Sequence, residues 1–295
     1  MRRSGYLVEV RVESVLSERF GYTEANASYE DPETKKSREY DIYSMAAYSA
    51  GPDKYDYIFG VLLIECINNP QPLAVLTKEP QTPFLYHEDI KLSGLPVKIP
   101  VKNSRTGWKR LCEYLEMDQY HHYCKGNVGT QFCSFLKKKT GKVEEWMAVH
   151  DSSHFDSFQK LCSIVDYEKR RHFLSWTLRQ KEPVNLQIYY PVIVLQGELV
   201  EAQQTPRSVK LKAANHIQFR RSTASCGTEQ HYHIDIIRER YLPKYLDSVH
   251  QELRKTALLL RRRHMTIRAA IDKIVGEASK YQSKELIGKV MDWEE

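Results

Sequence analysis

Glu65 closes the apolar run Val61-Leu62-Leu63-Ile64, a place where a carboxylate is taken out of water. Burying that charge is expensive unless an opposite charge meets it. A second acid, Asp41, ends the stretch Ser37-Arg38-Glu39-Tyr40-Asp41 on what reads as the preceding strand. Two carboxylates on neighbouring strands repel each other, and a hard divalent cation removes that repulsion. Glu9, within an apolar helical stripe near the start, is a third acid that can join them. Three carboxylates around one point suit Mg²⁺ or Mn²⁺, with water completing the octahedron.

The elements that must position these acids are legible in the periodicity. Val8, Val12, Val15 and Leu16 have helical spacing over residues 6–20, and Gly21 stops the helix. Two strands are predicted at roughly 38–46 and 57–67, joined by a turn at Gly51-Pro52-Asp53. Alternation places Glu39, Asp41 and Tyr43 on one face, and Leu63, Glu65 and Ile67 on one face of the next strand. If the strands pair, Asp41 and Glu65 share a face of the sheet.

Helix with Glu9, strand with Asp41, strand with Glu65-Cys66-Ile67: in this order the chain resembles the PD-(D/E)XK, or restriction-endonuclease-like, nuclease superfamily. That pattern is a helix carrying Glu, a strand carrying Asp, then a strand carrying Asp or Glu, any residue, and Lys. The resemblance covers the first 75 residues best. It implies an α/β fold, a central mixed sheet flanked by helices, here with a C-terminal helical extension. It further implies hydrolysis of phosphodiester bonds in DNA, with Asp41, Glu65 and Glu9 as Mg²⁺ (or Mn²⁺) ligands. Gln71, just after the second strand, is expected to orient substrate or water. The setting it implies is prokaryotic or phage-related, in defence or DNA processing.

One position departs from the pattern. The superfamily lysine falls at 67, and this chain has Ile67. Two readings follow. A lysine from elsewhere reaches the site, Lys78 first and Lys36 second, as relocation is known in the superfamily. Alternatively the chain kept the fold, lost the chemistry, and acts as a nucleic-acid-binding or assembly subunit.

Other constellations carry less. His121-His122-Tyr123-Cys124 with Cys133 nine residues on matches no standard zinc knuckle and reads as loop aromatics. His150 and His154 lack an intervening Glu in metalloprotease order and read as residues at a helix start. His231, His233 and Asp235 alternate along a predicted strand as one half-exposed face. Gly126-Asn127-Val128-Gly129-Thr130 lacks the Gly-Lys-Ser/Thr that closes a phosphate loop.

The remaining chain reads as a proline-rich excursion over 69–105, helices at Trp108–Met117 and Ser153–Trp176, and strands at Leu186–Leu195, near Leu199, at Val209–Arg220 and at Tyr232–Ile237. Helix is expected from Pro243 to the end. The organisation predicted is a nuclease-like domain over 1–240 with an inserted middle segment, then a basic helical segment over 241–295. With 295 residues, 41% hydrophobic and 28% charged, the chain can bury a sizeable core and is not of disordered composition. Its net charge of +6 is compatible with nucleic acid. The excess is concentrated between Arg254 and Lys273, where seven basic residues face one acid. Arg261, Arg262, Arg263 and Arg268 are the phosphate-tracking candidates there. No apolar run is long enough for a membrane span, Met1-Arg2-Arg3 opens no apolar leader, and six scattered cysteines read as reduced thiols. A cytoplasmic location is expected, with DNA as partner, no membrane, and a homo-oligomer or protein complex left open.

Overall fold

A computed structural model describes residues 5–281, apart from 32–33, 81, 102–105, 141–142, 150–151, 177–182, 205–207 and 226–227. Helix α1 (Gly5–Arg19) leads into three antiparallel strands: β1 (Tyr22–Glu30), β2 (Ser37–Ser49) and β3 (Tyr57–Ile67). Strand β4 (Leu73–Lys78), a 3₁₀ turn (Pro83–Asp89) and short strands β5 (Leu92–Ser93), β6 (Lys98–Pro100) and β7 (Trp108–Arg110) follow. Two single-turn helices, α2 (Leu111–Tyr114) and α3 (Met117–Tyr120), precede a 3₁₀ turn at His122–Cys124. The hairpin of β8 (Val128–Thr140) and β9 (Val143–Val149) leads to the long helix α4 (Ser152–Trp176). Strands β10 (Asn185–Leu195), β11 (Leu199–Gln204), β12 (Val209–Ala214), β13 (His216–Ser225) and β14 (Thr228–Arg238) complete the sheet, and α5 (Leu242–Tyr281) closes the chain.

The result is one mixed sheet in the order β1-β2-β3-β10-β14-β13-β8-β4-β11-β12, with β5 added to β10 and β9 to β8. Its centre is the parallel pair β3 and β10, in register from Tyr57↔Asn185 to Ile67↔Leu195. Both strands are apolar along nearly their whole length, as strands covered on both faces must be. Helices α1 and α5 pack on one face, where Val8, Val12 and Leu16 join Ile42, Ile64, Val249 and Leu253 in one core. Helix α4 covers the other face, where Phe158, Leu161 and Val165 meet Leu63, Tyr189 and Ile193. Each fully buried aliphatic side chain contributes about 1.5–3 kcal/mol, so each layer is held by many such terms. Gly60 sets how closely α5 lies: a Cβ there would stand 2.3 Å from Leu253 Cδ1.

Three expectations are corrected. Residues 108–117 do not form one helix, because β7 pairs with β6 and the chain then makes two separate turns, broken by Glu116 at φ 56°. The span 209–220 is two strands, β12 and β13, rather than one. The face of β14 carrying His233 and Asp235 is buried, not half-exposed, because α5 and the His122 turn cover it. The β8–β9 hairpin was not anticipated. The stripe Leu246, Val249, Leu253 and Leu260 of α5 packs into the core. Among the described residues no helix is long and apolar enough to cross a membrane.

Candidate active site at the β2–β3 divergence

The hydrogen-bonded pairing of β2 with β3 ends at Ile42↔Ile64, although β3 runs on to Ile67. One step further along that register, Asp41 stands opposite Glu65. The same point is irregular on the other side of β2. Pairing with β1 steps from Ala25↔Ile42 to Ala27↔Tyr40, and Asn26 between them has φ 53°. The strands therefore part at Asp41, and its side chain takes over the lost ladder bond. Asp41 Oδ2 accepts from the Cys66 amide at 2.6 Å. A carboxylate fixed to the backbone beside Glu65 cannot swing away from it.

Glu65 pairs in register with Ile193, a residue of the α4-facing core, so its side chain points toward α4. There it meets Lys160, whose Nζ lies 2.6 Å from Glu65 Oε1. This is the ammonium that stands beside Glu65. It comes from neither Lys78 nor Lys36. Lys78 lies at the exposed end of β4, five places from β3 in the strand order. Lys36 is exposed in the turn before β2. Ile67 itself packs into the apolar cluster beneath α4.

The electrostatics mark a site short of positive charge. Burial, then the Asp41 charge, pushes Glu65 up to about 7, with Lys160 pulling it back. Asp41 is raised by burial against the Cys66 amide and Lys160, and Glu9 is raised by burial and then by Asp41. Asp41 is thus the common neighbour of the other two acids. Glu9 and Lys160 reach it from opposite faces of the sheet, on α1 and α4. An all-carboxylate donor set is of the kind that fits a hard cation. Asp41 and Glu65 would hold it. The ligand atoms of Glu9, Asp41 and Glu65 do not all lie within 4.8 Å of one another, so the three acids do not close around one point.

Gln71 lies in the bend between β3 and β4, where its backbone carbonyl accepts from Asn69. Between α1 and the start of α5, at the C-terminal ends of β10 and β14, lies a groove of about 620 Å³ lined by Arg11, Gln196, Arg238, Glu239 and Arg240; neither the acids nor Lys160 line it. Arg11 pairs with Glu239 at 2.5 Å and Arg238 with Glu198 at 2.7 Å.

The basic cluster lies elsewhere. Arg261 donates to Ser49 at the hairpin end of β2, Arg263 pairs with Glu116, and Arg268 meets Asp272 at 3.6 Å. Arg262 is exposed. Eight strand residues separate Ser49 from Asp41, about 26 Å of extended chain. The arginines and the acids thus sit at opposite ends of the same strands.

Lys160 was missed by sequence reasoning, although a signal existed. The α4 stripe Phe158, Leu161, Cys162, Val165 is legible, and Lys160 lies one turn before the fully buried Ile164 and two before the buried Glu168. A lysine continuing a buried line of a helix is a candidate for pairing with a buried acid. His150 lies outside the described residues.

No family model, curated protein or solved structure matches this chain.

Proposed function

We propose that the chain is a metal-dependent nuclease of the PD-(D/E)XK type, with a restriction-endonuclease-like core and its lysine moved from β3 to α4. The observation that carries this reading is the meeting of Lys160 with Glu65 where Asp41 is pinned to the Cys66 amide. Ile67 on its own favours an inactive nuclease fold; a lysine arriving from α4 supports the active reading over that rival.

In this reading Asp41 and Glu65 hold Mg²⁺ or Mn²⁺, and Glu9 orients a water. The ion, once bound, polarises the phosphate and lowers the pKa of a coordinated water. Lys160 orients the attacking water and stabilises charge gathering on the phosphate oxygens.

Incubating supercoiled plasmid with the protein and Mg²⁺ or Mn²⁺ tests this. Nicking is expected, and Asp41→Ala or Glu65→Ala is expected to abolish it. Tight binding of DNA with no metal-dependent cleavage would instead establish the inactive subunit.

A further inference from the structure

A second polar cluster lies two strands from Glu65 and on the other face of the sheet. Asp235 of β14 is in register with Val192 of β10, whereas Glu65 is in register with Ile193, and adjacent positions point to opposite faces. Asp235 is fully buried. Its Oδ1 is met by His216 Nε2 at 2.7 Å, and its Oδ2 by His122 Nε2 at 3.0 Å, Tyr245 Oη at 2.7 Å and Tyr123 Oη at 3.1 Å. Glu252 of α5, also buried, faces the other edge of the same imidazole, 2.9 Å from His122 Nδ1, and accepts the His122 amide at 2.7 Å. Two buried carboxylates need positive charge, and among the described residues the ion-pair partners that reach them are histidines.

We propose that His122 Nε2, His216 Nε2 and Asp235 form a binding site for one borderline divalent transition-metal ion, of which zinc is the type. The ligand atoms of these residues all lie within 4.8 Å of one another. Two imidazoles and one carboxylate are the donor set that such ions prefer over Mg²⁺. Glu252 takes the supporting place, holding His122 Nδ1–H so that Nε2 faces the ion with its lone pair. The side chains of His122 and His216 keep 18% and 26% of their surface in solvent, so an ion has a route in. An independent sign comes from His121, whose Nε2 is buried with no hydrogen-bond partner and stands 3.7 Å from Glu252. Polar capacity therefore exceeds what the side chains satisfy among themselves.

The ligands come from the His122–Cys124 turn, β13 and β14, and the supporting carboxylate from α5. The ion would staple the turn to the β13–β14 hairpin beneath α5. No local spacing announces such a site, because His122 and His216 are 94 positions apart.

The test uses the full chain, stripped with a chelator and dialysed, and titrated with Zn²⁺ alone and with Co²⁺. One equivalent of Zn²⁺ is expected to bind, to raise the melting temperature, and with Co²⁺ to give visible d–d bands of low-symmetry nitrogen and oxygen ligation. His216→Ala should lose stoichiometric binding, and Glu252→Gln should weaken it by about 10–100-fold. Glu65→Gln should leave it intact. If His216→Ala does not fold, His216→Gln serves, since it keeps a donor to Asp235 and removes the imidazole ligand. Absence of stoichiometric binding, or binding lost in Glu65→Gln and retained in the His216 variants, would overturn the proposal.

Discussion

Glu65 is the residue on which most turns, because it is buried, negatively charged and only partly compensated. Its carboxyl is pushed from the ordinary 4.5 up to about 7 by burial and by Asp41. A carboxyl raised in the folded state holds its proton longer there than in the unfolded chain. Its protonated form therefore supports folding at low pH, and that support is lost as pH rises from about 4.5 through about 7. In metal-free buffer Glu65→Gln should raise stability at pH 8 by up to about 3 kcal/mol. The gain should fade below pH 5, as chemical denaturation at the two pH values will show. A gain that is equal at both would mean that Glu65 is not strained by its charge. The replacement of the expected lysine by Ile67 is open to a swap. Ile67 and Glu65 lie two apart on one strand, so Ile67→Lys in a Lys160→Met background should recover part of the nicking that Lys160→Met removes. No recovery, with the double variant folded, would mean that the position of the ammonium on α4 is itself required.

At the scale of elements, helix α1, strand β3 and the long helix α4 were legible, since their apolar periodicity is strong and their burial follows it. The acids were legible for the same reason: a carboxylate ending an apolar run stands out. What the sequence could not display was contact across elements. Lys160 meets Glu65 from 95 positions away, and His122 meets Asp235 from 113 positions away; neither has a local pattern. The 108–117 segment misled because its apolar residues have helical spacing, while pairing with β6 claims the first three. Element packing makes its own predictions. Gly60→Ala should cost about 1–3 kcal/mol by forcing Leu253 and α5 off β3, measured by urea unfolding. Asp89, on the 3₁₀ turn, ties that turn to the β13–β14 hairpin. Burial would raise it, but His233 at 3.2 Å and Arg220 at 2.7 Å hold it down at about 2. That stability is present above the ordinary carboxylate value and lost as pH falls from about 4 to 2, so Asp89→Asn should flatten the acid limb of the stability profile by about 2 kcal/mol.

Across the whole molecule, charge is arranged at two ends of one pair of strands. The acids lie where β2 and β3 part, and the arginines of α5 lie beside the hairpin that joins them. A duplex spanning both would cover about 26 Å, some eight base pairs at 3.4 Å each. Under this arrangement Arg262→Ala should weaken DNA binding uniformly across sequences and reduce the salt slope by about 1, while leaving the cleavage rate at saturating DNA unchanged. A fall in that saturated rate would place Arg262 in the chemistry instead of on the binding track. The proposed chemistry falls to Asp41, Glu65 and Lys160, with Glu9 on α1, positioned by a sheet with helices on both faces. The most direct check is the rate of plasmid nicking in Mn²⁺ by Lys160→Met beside the unaltered chain, with both shown to be folded. The account predicts cleavage by the unaltered chain and a loss of about 10²–10⁴-fold in the variant; equal rates in the two would contradict it.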